Sequence, residues 1–219
     1  MSSVPPLDEQ ESVVAKPRRP RYLVIAVLVA LVFGAGCWTD GCARLAFYRT
    51  DVDLGGPQNA VLRDEANRAR ADDMYQTFLD AANRQKGRAV PLAAATFVLG
   101  AALLALGSRS LSGRINTRKL LIQLVAAQAI VVGASFFALR DMQRAELEWQ
   151  LEKTLMLQSE QMPPEDFARV APPMRAAMHG VPPTWLAMRT LASLLVILAL
   201  TRPRARAFFD SVDVHPITE

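Results

Sequence analysis

The chain has 219 residues, 51% hydrophobic and 21% charged, with a net charge of +4. Those averages fit a soluble domain as well as a membrane protein, so the arrangement of the residues carries the information. No basic surface interleaved with aromatic residues points to nucleic acid as a partner.

Residues 1–21 read as a basic tail closing on KPRRPR (16–21), which contains Arg18, Arg19 and Arg21. An apolar block without a charge follows at 22–38. Three more blocks lie at 89–107, 120–139 and 184–200, the last interrupted by one charge, Arg189. Seventeen to twenty residues at about 1.5 Å each give roughly 25–30 Å, the thickness of the hydrocarbon core. None of the blocks carries a polar stripe at three- or four-residue steps, as a surface helix of a soluble bundle would. The expected fold is therefore all-α, a polytopic membrane protein with four transmembrane helices.

The basic flanks orient it. Segments 16–21, 108–119 and 201–206 hold 11 Lys or Arg and no acid in 24 residues. Segments 39–88 and 140–183 hold 13 basic and 15 acidic residues in 94. The positive-inside rule then places both termini and the 108–119 loop in the cytoplasm of a bacterium, with the two long segments outside its inner membrane. Several bases on the outer side, Lys86, Arg88, Arg140 and Arg144, also stand close to span ends. Arg18, Arg19, Arg21, Arg114, Arg118, Lys119, Arg202 and Arg204 are the expected contacts to anionic head groups. Trp38 and Trp185 fall at the outer interface, where an amphipathic ring is favoured.

Both outer segments read as helical. In 39–88, after a short apolar-basic stretch with Phe47 and Tyr48 expected on the membrane surface, Met74, Tyr75, Phe78, Leu79 and Ala82 recur at helical steps. DVDLGG (51–56) echoes half a calcium loop, but Leu62 stands where the closing glutamate would fall, so a loop or cap is expected. Gly87 and Pro91 mark a joint to the second span. In 140–183 the third span continues outward with Met142, Leu147, Trp149, Leu151, Leu155 and Met156 on one side. Two short proline-opened helices follow, the second stopped by Gly180, and Thr184 caps the fourth span. Neither outer piece can hide its apolar face alone, which predicts a small extracytoplasmic helical cap packed from both. A protein partner or a second copy covering that face is the alternative, with Phe78 and Trp149 as its contacts. The order of flank, span, outer helix, Val-Pro, span and flank occurs twice, as in a duplicated hairpin.

The two cysteines, Cys37 and Cys42, stand in GAGCWTDGCARL (34–45). On an unbroken helix, residues five apart cannot be bridged. A turn at Asp40-Gly41 would end the helix near Trp38 and allow a small disulfide in an oxidising space, the expected state. Two unpaired thiols are an alternative. A lipidation signal ending at Cys37 is another, although Gly34 occupies the position where such signals place leucine. The chain also resembles, in topology, four-helix membrane thiol oxidoreductases that pass electrons to quinone, with Arg44 in the place of their arginine near the first cysteine pair. Those families use Cys-x-x-Cys and a second pair, whereas this chain has Cys-x4-Cys and no further cysteine.

Inside the spans the polar residues are Thr96, Gln123, Gln128, Ser135, Arg189, Thr190 and Ser193, with no Asp or Glu. Gln123 and Gln128 do not share a face, and interhelical hydrogen bonds are expected for them. Arg189 is the ligand candidate: it reaches the outer head groups, pairs with an acid of the cap, or grips an anion. Ala26, Ala30 and Gly34, and Ala129 with Gly133, are spaced for close helix contacts. His179 and His215 are isolated, and no cofactor, metal site or enzyme signature is expected. The leading functional expectation is a non-catalytic accessory, assembly or sensor component, followed by a small-solute transporter or channel. If the orientation holds, an impermeant maleimide added with reductant to intact cells modifies Cys42 from outside; modification only from the cytosolic side reverses the topology.

Overall fold

In the computed structural model the described residues are 20–50, 62–111 and 117–214. Arg18, Arg19, Arg114, His215 and the 51–56 stretch lie outside them. The described residues form six helices and no strand: α1 (Arg21–Thr50), α2 (Glu65–Leu111), α3 (Thr117–Ala138), α4 (Arg140–Ser159), α5 (Pro164–Thr201) and α6 (Pro203–Val214). Four of them, α1, α2, α3 and α5, are long and apolar enough to cross a membrane. Around the bundle, α1 pairs with α2, α2 with α3, α3 with α5, and α5 with α1. The α1–α2 pairing is the most extensive.

Length explains the cap. At 1.5 Å per residue the 47 residues of α2 extend about 70 Å, more than twice the hydrocarbon thickness. Its first half therefore projects beyond the bundle and packs against α4 and the end of α1. Tyr75 and Phe78 of α2 meet Trp149 of α4 at ring-centroid distances of 4.9 and 6.0 Å. Phe47 lies 5.7 Å from Phe78, and the Tyr48 hydroxyl donates to Met142 Sδ at 3.0 Å. The two outer pieces thus cover each other, as their patterns predict. Phe47 and Tyr48 join this core instead of lying flat beside the bundle, because α1 carries them upward.

At the cap's far end Glu160 accepts from the backbone N–H groups of Arg63 and Asp64, at 2.9 and 3.1 Å. It thereby supplies acceptors at the start of α2 from another helix. These bonds hold its carboxyl below the ordinary glutamate value. Glu152 joins Arg175 at 2.7 Å and Arg70 at 3.8 Å, linking α4 to α5 and α2.

Several predicted breaks are absent. α1 runs through Asp40-Gly41, so the expected disulfide is not formed: Cys37 and Cys42 are both free, the first buried and the second exposed. Gly41 serves contact, not a turn. A Cβ there would stand 2.6 Å from the Phe97 backbone nitrogen of α2. The Asp40 carboxylate meanwhile accepts from Arg44 Nε one turn later, at 3.0 Å, which favours continued helix. Labelling of Cys42 accordingly needs no reductant.

α2 likewise continues through Gly87 and Pro91, and α5 stays helical through Pro172, Pro173, Pro182 and Pro183. Each proline removes one backbone bond, and in α5 all four precede the helix's buried residues Ser193, Val196 and Leu200. Gly180 does not stop α5, and Thr184 lies inside it. The passage from α3 to α4 is a single non-helical residue, the buried Leu139, at φ −110° and ψ 21°.

The end opposite the cap is dry. Val27 and Ala30 of α1, Leu103 of α2, Leu121 and Val125 of α3 and Leu200 of α5 are at most 1% exposed. Phe208 and Phe209 of α6 close this core from below. Outward-facing Val32, Val98, Ile130, Phe137, Leu191 and Leu198 are each more than half exposed, a belt suited to lipid tails.

Glycines set the α1–α2 spacing. A Cβ on Gly100 would lie 2.5 Å from the Trp38 nitrogen, and one on Gly34 would lie 3.1 Å from Leu103 Cβ. Gly133 of α3, expected at a close contact, faces nothing within 4 Å. Gly100→Leu is therefore expected to destabilise the protein by about 3 kcal/mol or more, since backbone must yield. Gly133→Ala should be neutral or stabilising by up to about 1 kcal/mol. Thermal unfolding in detergent measures both.

Candidate functional site: a vestibule beneath the cap

Where α5 joins the bundle less closely than α1 and α2 join each other, a cavity of about 370 Å³ remains below the cap. Every helix from α1 to α5 contributes to its wall. α1 supplies Asp40 and Arg44, α2 Thr96, α3 Ser135 and Phe136, α4 Gln143, and α5 Trp185 and Arg189. The lining mixes apolar surface with a few convergent polar groups, the usual character of a small-ligand site.

Arg189 turns into the bundle. Its Nη2 lies 2.6 Å from Cys37 Sγ, and its guanidinium sits 5.4 Å from the Phe33 ring centroid. From α3, Gln128 Nε2 donates to Cys37 Sγ at 2.9 Å and to the Phe33 carbonyl at 3.2 Å. Gln128 is 2% exposed, and its Oε1 has no hydrogen-bond partner. Cys37 is thus a sulfur acceptor beneath an arginine, with α1, α3 and α5 meeting at one atom. Among the described residues Arg189 has no carboxylate partner. A guanidinium has five N–H donors, so the contact with sulfur leaves donors for the cavity.

The remaining charges lie at the rim. Arg44 pairs with Asp40, so those two nearly cancel and Arg189 leaves the vestibule with a net positive charge. Next to it is a second cavity of about 200 Å³, where Arg44 and Asp40 meet Tyr48, Phe78 and Glu146. Burial pushes the Glu146 carboxyl above the ordinary glutamate value, opposed by Arg44 and reinforced by Asp40.

The other polar span residues are quieter. Thr96, Ser135, Thr190 and Ser193 donate to carbonyls four residues back on their own helices. Gln123 is exposed, on a different face from Gln128, whose interhelical bonds match the expectation. Phe78 borders the smaller cavity, whereas Trp149 is buried in the cap core, with Lys153 Nζ over its ring at 5.3 Å. The described ones among the predicted head-group residues gather at the opposite end. Arg118 donates to the Leu200 carbonyl at 3.4 Å, Arg202 stacks over Tyr22 at 5.6 Å, and Arg21, Lys119 and Arg204 are exposed.

Asp40 and Glu146 were not among the expected site residues, and Arg44 was singled out through the resemblance to thiol oxidoreductases. The further sequence signal is the four-residue spacing of Asp40 and Arg44. Glu146 looks like any charge of a solvated helix until α1 packs beside it. Comparison with protein-family models, curated proteins and solved structures gives no match to this chain.

Glu146 makes stability depend on pH. Its folded value lies above the unfolded one, so its contribution is fully present below the ordinary glutamate value of 4.5 and is lost as pH rises through the raised value. Glu146→Gln is expected to raise the thermal midpoint at neutral pH and to flatten its pH dependence across that interval. A lower midpoint at neutral pH would mean that the charged carboxylate is held by Arg44.

Proposed function

We propose that this chain is a non-catalytic inner-membrane sensor or accessory subunit whose vestibule binds a small anionic solute from the extracytoplasmic side. Both termini lie in the cytoplasm in this reading, and the cap stands outside. The cap covers the vestibule and relays its occupancy to a protein partner. One observation carries the reading: an arginine that has no carboxylate partner among the described residues, held in the floor of a cavity on the cap side. An anion there gains charge-assisted hydrogen bonds in a setting where water screens little.

Binding is favoured over conduction by the packing below. Leu103, Leu121, Val125 and Leu200 fill the space beneath the floor without a gap open to solvent. Thiol oxidoreduction has little support, since Cys37 is buried and Cys42 exposed, five residues along one helix. A transporter reading rests on the same Arg189, and flux separates the two.

The test is thermal stabilisation of the purified protein in nanodiscs by a panel of small carboxylates and phosphates. A ligand that raises the midpoint should bind about 10- to 100-fold more weakly to Arg189→Ala, with partial retention in Arg189→Lys. Equal stabilisation of wild type and Arg189→Ala, or none by any anion, overturns the proposal. Arg189-dependent flux into sealed vesicles replaces sensing with transport.

A further inference from the structure

We infer that a second site, on the outside of the vestibule wall, holds an anionic phospholipid of the cap-side leaflet. The site is a cleft of about 560 Å³ where α3 passes into α4 beside α5. Phe136 and Phe137 end the apolar stretch of α3, Arg140 and Arg144 begin α4, and His179 with Pro183 face them from α5. The inference rests on the membrane reading, but not on the vestibule having a ligand.

Charge is the first argument. Arg140 and Arg144 are four residues apart on one helix and so lie on one face, where like charges repel. Among the described residues no carboxylate lines the cleft. The neighbouring Asp141 is occupied elsewhere, its Oδ2 accepting from Gln85 Nε2 of α2 at 3.4 Å. Among the described residues neither arginine has a carboxylate within ion-pair distance. An anion bridging the two guanidinium groups relieves the repulsion and satisfies donors that protein groups leave free.

Position is the second argument, and it selects a lipid over a free ion. The basic pair stands directly after the apolar stretch of α3, and Trp185 of α5, 57% exposed, follows the cleft-lining Pro183 by two residues. Below the pair the wall becomes apolar, with Phe137 72% exposed. A phosphate at the arginines therefore has its glycerol and acyl chains against Phe136 and Phe137. A free ion would leave those rings unmatched. The cleft also accounts for two arginines on the side where the positive-inside rule disfavours them. Their partner is a head group instead of the cytoplasmic surface.

The experiment uses the full chain in nanodiscs of phosphatidylcholine containing a trace of photoactivatable phosphatidylglycerol, with crosslinks mapped by peptide mass. Incorporation into the disc reports on the membrane reading separately. Crosslinks are expected in 136–147 and 177–183, reduced on the order of tenfold in Arg140→Gln/Arg144→Gln. Arg140→Lys/Arg144→Lys should retain them. Both arginines are exposed, so the variants should keep the wild-type thermal midpoint, which is measured alongside. A phosphatidylcholine probe with the same reactive chain should label this region weakly. Equal labelling by the two probes, or unchanged labelling in the glutamine variant, overturns the site. Complete displacement of the lipid probe by millimolar inorganic phosphate would make it an ion site and overturn the lipid assignment.

Discussion

The close approach of α1 and α2 is the constraint on which the other features depend. Glycines 34, 41 and 100 bring the two backbones to a separation that no Cβ at Gly41 or Gly100 would permit. Contact at that distance maximises dispersion along both helices, and it extends past the point where α1 could have ended. α1 therefore remains helical to Thr50 and delivers Asp40, Arg44, Phe47 and Tyr48 to the cap. It also fixes the azimuth of Cys37, which points inward with 1% of its surface exposed.

That azimuth creates the vestibule floor. A thiol alone is a weak hydrogen-bond partner, yet here it is approached by donors from two other helices. An arginine in an apolar span is costly unless its charge is solvated, and sulfur, the Phe33 ring and the cavity together provide polar surroundings. The floor separates a polar upper half from an apolar lower half. In the upper half, helix spacing leaves room for Thr96, Ser135 and Gln143. In the lower half, leucine and valine side chains fill it.

The cap and the vestibule are mechanically one piece. α2 passes through both without interruption, and Arg44 borders both the vestibule and the smaller cavity that holds Glu146. The cap contacts of α1, Phe47 and Tyr48, follow Arg44 by one turn on the same helix. In the proposed reading, Arg44, which borders both cavities, is the residue that would link them.

Much of this was legible in the residue order. The four apolar blocks, the separation of charged flanks, the helical nature of both outer segments and their mutual packing follow from composition and periodicity. Hydrophobic patterning is local and survives any tertiary arrangement. Gln128 as an interhelical donor and Arg189 as a span residue of interest followed from the cost of polar groups among apolar ones. The tertiary structure alone decided where helices stop and what the cysteines do. Gly41, Gly87, Gly180 and the paired prolines are breakers by local propensity, worth about 1 kcal/mol for glycine and about 3 for proline. In α1 the contact of Gly41 with α2 outweighs the penalty, whereas α5 stays helical through Gly180 and its prolines without burying a residue there. Likewise Glu146 and the Asp40–Arg44 pair became site residues only when distant segments closed around them, because burial and neighbouring charge are properties of the fold and not of the chain.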